Sequence, residues 1–80
     1  MAVHQKDQDL LNTIASNITR YRTGLKLSKE RLAVLANIEA RSIYNYESAK
    51  IDITVSSLSK LAKALNVEPY QLLMKVGDQH

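Results

Sequence analysis

The stretch that most constrains this chain is residues 27–47, LSKERLAVLANIEARSIYNYE. Its pattern reads as two short helices joined by a tight turn. Leu32, Ala33 and Ala36 gather small and apolar side chains on one face of the first helix, and Ile43 and Tyr46 do the same at i, i+3 spacing on the second. Asn37 stands where the chain must reverse, because asparagine tolerates the left-handed conformation that closes such a helix end. Beyond the turn, Ile38 and Ile43 anchor the second helix from below, while Ala40, Arg41, Tyr44, Asn45 and Ser48 point the other way. That outward face holds small or polar groups and one aromatic ring, and it can hydrogen-bond the edges of bases. The second helix is read as one placed for insertion into a duplex.

Eighty residues allow one domain, and 45% hydrophobic residues give it an adequate core. There is no cysteine, so neither a disulfide framework nor thiolate zinc ligation is available; His4 and His80 stand at the two ends without partners in sequence. No metal or cofactor is therefore expected. The N-terminus lacks a signal-like hydrophobic run, and no apolar stretch approaches the roughly 20 residues that span a bilayer. The expectation is a soluble cytoplasmic protein with no membrane partner. Net charge is +3, and its placement says more than its size. From Arg20 to Lys50 seven basic residues face three acidic ones, and the rest of the chain is slightly acidic, so the positive excess surrounds the helix pair as phosphate binding needs. No nucleophile and base form an interpretable set and no glycine-rich phosphate loop occurs, so an enzyme is not expected.

Along the chain, residues 1–8 are polar and aperiodic and are expected to form a flexible arm. Asp9 is placed to cap a first helix running to about Thr23, with Leu11, Ile14, Ile18, Tyr21 and Leu25 as its inward stripe and Gly24 marking its exit. Ser28 caps the second helix with Glu30 in its first turn, although Arg31 stands where a capping box wants Glu or Gln. Residues 48–53 lack helical period. Thr54 caps a fourth helix with Val55, Leu58, Leu61, Ala62 and Leu65 along one face, and Asn66 stops it. Pro69 opens a fifth, carrying Leu72, Leu73 and Val76, which Gly77 ends. One all-α unit over residues 9–77 with a short tail at 78–80 is the expected organisation, leaving no room for a separate sensing domain.

The series Leu27-Ser28-Lys29-Glu30-Arg31-Leu32-Ala33, Asn37-Ile38, Ser42-Ile43, Glu47, Leu58, Leu61-Ala62 and Leu65 resembles the Cro/cI-type helix-turn-helix family, the phage-repressor-like DNA-binding domain. The resemblance spans roughly residues 14–73 and implies a compact five-helix domain whose helices two and three read double-stranded DNA, as two-fold dimers on pseudo-palindromic operators. It places Ala40, Arg41, Tyr44 and Asn45 at base-reading positions, Lys29, Asn37, Ser42 and Lys50 at phosphates, and Arg22 with Glu47 in an internal salt bridge. Arg41 suits a bidentate pair with guanine and Asn45 one with adenine, each worth about 1–3 kcal/mol of discrimination. Three positions depart from the family. Glu39 stands where a small hydroxyl residue is usual, Ala49 replaces a glycine, and Ile53 replaces a proline.

What these features imply together is a sequence-specific transcription regulator of prokaryotic or phage origin, a small homodimeric repressor or autoregulatory controller reading the major groove. Tyr70, Leu73, Met74 and Val76 are the expected dimer surface. The alternative is an antitoxin or adaptor that uses the same fold chiefly to hold a partner protein.

Overall fold

The computed structural model describes residues 7–76. Among the described residues four α-helices follow one another, α1 (Gln8–Gly24), α2 (Lys29–Ala36), α3 (Ala40–Glu47) and α4 (Val55–Leu65), and a 3-10 turn, Pro69–Leu72, comes after them. No strand occurs among the described residues. Residues 1–6 of the expected 1–8 arm, Gly77 and the 78–80 tail lie outside them, as do both histidines, whereas Asp7 and Gln8, also expected in the arm, cap and open α1.

Helices α1, α2 and α4 start where a side chain takes up one of the free amides. Ser28 Oγ accepts from the Arg31 N–H at 2.9 Å and Thr54 Oγ1 from Ser57 at 3.0 Å. At α1 the cap is Asp7 rather than Asp9. Asp7 Oδ1 accepts from the Leu10 N–H at 3.0 Å, which starts the helix early and leaves Asp9 inside the first turn, where its charge still favours the dipole.

All four helices end on a left-handed residue, and none of these is glycine. Lys26, Asn37, Ala49 and Asn66 have φ of 61°, 57°, 57° and 62°. The following N–H reaches back five residues in every case, from Leu27 to Arg22 O (3.1 Å), Ile38 to Ala33 O (3.0 Å), Lys50 to Asn45 O (3.1 Å) and Val67 to Ala62 O (2.9 Å). Gly24 is the last residue of α1, as expected, but the left-handed reversal falls two residues on, at Lys26. That reversal carries Leu25 off the inward stripe and leaves it half exposed.

The expected fifth helix is only the 3-10 turn. Pro69 opens it, and Gln71 Oε1 takes the Glu68 N–H at 2.8 Å. At its end the chain is held from outside, at the last carbonyl of the turn and at one two residues beyond it. The side-chain amide of Asn17, itself buried, donates to Leu72 O at 2.9 Å and to Met74 O at 2.7 Å, so the chain is drawn onto α1 instead of winding on. Asn17 also accepts from Arg20 Nη2 at 3.0 Å, which leaves its amide satisfied.

The core joins Ile14 and Ile18 of α1 to Leu32, Ala33 and Ala36 of α2, Ile43 and Tyr46 of α3, Leu61, Ala62 and Leu65 of α4, and Leu72. The small Ala33 and Ala36 allow α2 to lie close to its neighbours, and Ile43, fully buried, fixes α3 from beneath. Val55, expected on the inward stripe of α4, is instead exposed at the first turn, before that helix meets the core.

Alanine lacks glycine's freedom in the left-handed region, so Ala49 holds its turn at a cost. Replacing Ala49 by Gly is expected to raise stability by about 1 kcal/mol, read as a higher midpoint in urea unfolding. An unchanged or lower midpoint would show that the turn is unstrained.

Candidate nucleic-acid interface

The interface is built on α2, the turn at residues 37–39, and α3. Asn37 closes α2, and Glu39 stands at the N-cap of α3. The Glu39 backbone carbonyl accepts from Ser42 at 3.0 Å, but its carboxylate makes no cap bond to the helix amides. Below, Ile43 and Tyr46 enter the core. Above, Arg41 and Tyr44 are exposed and Asn45 is partly so. Ala40, expected on the outward face, is half-buried and packs against the core beside Ile38, because the first residue of α3 still lies over the turn. The outward face therefore begins at Arg41. Ser42 is half-buried along the helix flank.

Two side chains from the first turn of α2 hold Tyr44. Its hydroxyl donates to Glu30 Oε2, and Lys29 Nζ lies 4.5 Å from the ring centroid. Tyr44 remains 47% exposed, so one part of the ring is gripped and the rest is open. The hydrogen bond donated by Tyr44 holds the Glu30 carboxyl below the ordinary carboxylate range, with the nearby cations Lys29 and Arg22 adding to the effect. Donating to that carboxylate pushes the Tyr44 phenol above its ordinary range. The lowered Glu30 contributes stability above the ordinary carboxylate range and loses it as pH falls through its own lowered value. The raised Tyr44 contributes below the ordinary phenol range and loses it as pH rises through its raised value. The contact is thus intact across neutral pH.

Behind this face, Glu47 at the end of α3 receives three donors. Arg22 Nε meets Oε2 at 2.6 Å, Arg22 Nη2 meets Oε1 at 3.0 Å, and Thr19 Oγ1 donates to Oε1 at 2.8 Å. Arg22 Nη1 also donates to Leu27 O at 2.8 Å, which ties in the loop before α2. The side chains are only 13% and 5% exposed, and the hydrogen bond to Glu47 raises the Arg22 pKa, so the guanidinium stays charged.

Lys29, Tyr44, Asn45, Ser48 and Lys50 border one open hollow of about 420 Å³ whose floor includes Arg22 and Glu47. The structure therefore brings Lys29 and Lys50, from opposite ends of the helix pair, to the same side as Tyr44 and Asn45. Asn37 is not with them. It lines a different hollow of about 540 Å³ with Val34, Ile38 and the carboxylates Glu30 and Glu39. Of the residues expected at a dimer surface, Tyr70 (61%), Leu73 and Val76 (56%) are exposed, while Met74 is half-buried. Leu73 and Met74 border a groove of about 510 Å³ with Leu10 and Thr13 of α1. Among the described residues, no three His, Cys, Asp or Glu side chains converge as metal ligands would, and no helix is long and apolar enough to cross a membrane.

Thr19, Glu30 and Asn17 were not legible as site or framework residues. Thr19 and Asn17 are poor helix formers on α1, and Glu30 reaches Tyr44 across fourteen positions, a separation that no helical spacing encodes.

A helical domain with a buried α2–α3 seam and an outward polar face on α3, edged by lysines, defines a class, the DNA-binding regulators of transcription. The chain belongs to the helix-turn-helix family, whose profile matches residues 18–72. It is 35% identical over 69 residues to the control protein C.SmaI of Serratia marcescens, covering 86% of this chain and 82% of that protein. A hypothetical transcription factor from Neisseria meningitidis is 32% identical over 68 residues, a match that takes in 64% of its length. The crystal structure of the Neisseria factor superposes with a TM-score of 0.87 at 29% identity, over 94% of this chain and 86% of that one. The restriction-modification controller protein C.AhdI of Aeromonas hydrophila gives a TM-score of 0.75 at 29% identity, over 78% of this chain and 94% of that one.

Breaking the clamp from one side leaves a shielded charge unpaired. Glu47→Ala is expected to destabilise the domain by about 3 kcal/mol, and Arg22→Met combined with Glu47→Leu by clearly less than the two single losses added. Denaturant unfolding of the wild type, Glu47→Ala, Arg22→Met, Glu47→Leu and the Arg22→Met with Glu47→Leu double variant checks this; strict additivity in the double would mean the pair is not coupled.

Proposed function

We propose that this chain regulates transcription as a homodimer that reads a pseudo-palindromic operator through the major groove, as a repressor or autoregulatory controller. The observation that carries this is the grouping around one hollow of Tyr44 and the half-buried Asn45 with Lys29 and Lys50 at the edges, the exposed Arg41 standing three and four residues before them on the same helix. Arg41 is the guanine reader and Asn45 the adenine reader; Tyr44 offers an aromatic face to a thymine methyl. Lys29 and Lys50 meet phosphates as point charges, and Ser42 adds a hydroxyl on the helix flank. Asn37 serves the backbone only where Glu30 and Glu39 leave room for a phosphate.

One such domain covers too few base pairs to be selective in a genome, which is the physical reason for a dimer. Tyr70, Leu73 and Val76 supply exposed apolar surface for it, with Met74 partly covered beside Leu73. The names of C.SmaI and C.AhdI as control or controller proteins favour the autoregulatory form, in which protein concentration sets occupancy through dimerisation.

Selection of bound duplexes from a random pool at near-physiological salt tests this. The expected product is an inverted repeat with half-sites about 34 Å apart, its preference blurred by Arg41→Ala with Asn45→Ala. A folded protein that enriches nothing would overturn the reading and favour a protein partner held by the same fold, as in an antitoxin or adaptor.

A further inference from the structure

A carboxylate on a phosphate-binding face weakens binding unless it has other work there. Glu30 is such a carboxylate. It is exposed, adjoins Lys29, and belongs to the helix whose first turn borders the lysine-edged hollow. What it does in the free protein is accept the Tyr44 hydroxyl. Lys29 lies over the same ring, so Tyr44 is held at its tip by one residue of α2 and across its face by the preceding one. A tyrosine on an exposed helix face otherwise samples several rotamers, and each must be frozen when DNA binds.

We propose that Glu30 is a positioning residue for sequence reading, holding the Tyr44 ring beside Asn45 so that preference at one operator position depends on α2 as well as α3. This rests on the reading of α3 as the base-contacting helix. The same carboxylate repels phosphates and partly offsets the charge of Lys29, so it lowers binding to arbitrary DNA. Both effects favour selectivity over raw affinity, one by fixing an attractive contact in advance and the other by adding a repulsive one against wrong sites.

The two effects separate in experiment. A duplex enriched by the wild type, its single-base variants and an unrelated duplex of equal length are titrated across a salt series with wild type, Glu30→Ala, Glu30→Gln and Tyr44→Phe. Glu30→Ala is expected to bind the unrelated duplex about threefold more tightly, to steepen the salt dependence by about one unit as the negative charge beside Lys29 is removed, and to lose about tenfold of preference at one position. Glu30→Gln keeps an acceptor oxygen for the tyrosine hydroxyl, so it restores the preference while the gain on the unrelated duplex persists. Tyr44→Phe loses preference at the same position without that gain.

A merely structural role would lower binding to both duplexes by one factor in Glu30→Ala, and that result overturns the proposal. So does a Glu30→Ala protein with wild-type preference at every position, or a Glu30→Gln protein that fails to restore it. If the wild type enriches no duplex, the parent reading falls and this proposal with it. If it does and the Glu30 variants match it, this proposal alone falls.

Discussion

The interaction on which the rest of the structure depends is the set of donors converging on the Glu47 carboxylate. Two come from the Arg22 guanidinium, one from Thr19, and a third Arg22 nitrogen holds the Leu27 carbonyl. The last turn of α1, the loop leading into α2 and the end of α3 are thus fixed by one planar fork, whose two parallel bonds set orientation as well as distance. Replacing a shielded ion pair with apolar groups often costs little, so its value lies less in net stability than in angle. Ile43 alone would let α3 rotate or slide on the core. With its C-terminal end clamped and its N-terminal end set by the Asn37 turn, the outward face of α3 has one direction.

That direction gives the surface its electrostatic character. The outward face of α3 has few charges of its own, and lysines stand at its margins, Lys29 from α2 and Lys50 just beyond α3, where the proposed reading puts phosphates. On the proposed reading, a net charge of only +3 would give weak binding to arbitrary DNA, which suits occupancy set by the protein's own concentration. Glu30 and Glu39 sharpen the same tendency, since both place carboxylates near the helix pair that a pure phosphate binder would not keep.

Much of this was legible in the sequence because the signals are local. Ser28 and Thr54 announce helix starts through a hydroxyl three residues ahead of the amide they accept from, and Asn37 and Asn66 announce helix ends through their tolerance of positive φ. The apolar spacing of Leu32, Ala33, Ala36, Ile43, Leu61 and Leu65 identifies the core directly. What failed was competitive or long-range. Two aspartates two residues apart could each cap α1, and only geometry chooses Asp7. Lys26 rather than Gly24 takes the left-handed turn because the cap bonds select a position, not a residue type. The fifth helix is cut short by Asn17, more than fifty residues away, and the grip of Glu30 on Tyr44 joins helices whose register no sequence spacing reports. Ala40 looks outward on a helical wheel, yet the turn before it folds the first residue of α3 onto the core.

On the proposed reading the outward face of α3 meets base edges. The structure of the protein bound to a duplex that it selects tests this most directly. The expected complex has α3 in the major groove, with Arg41 and Asn45 nitrogen or oxygen atoms within about 3.2 Å of base edges and the lysines at either side on phosphates. A complex in which the duplex lies against another face, or in which α3 touches only sugar and phosphate, would contradict it.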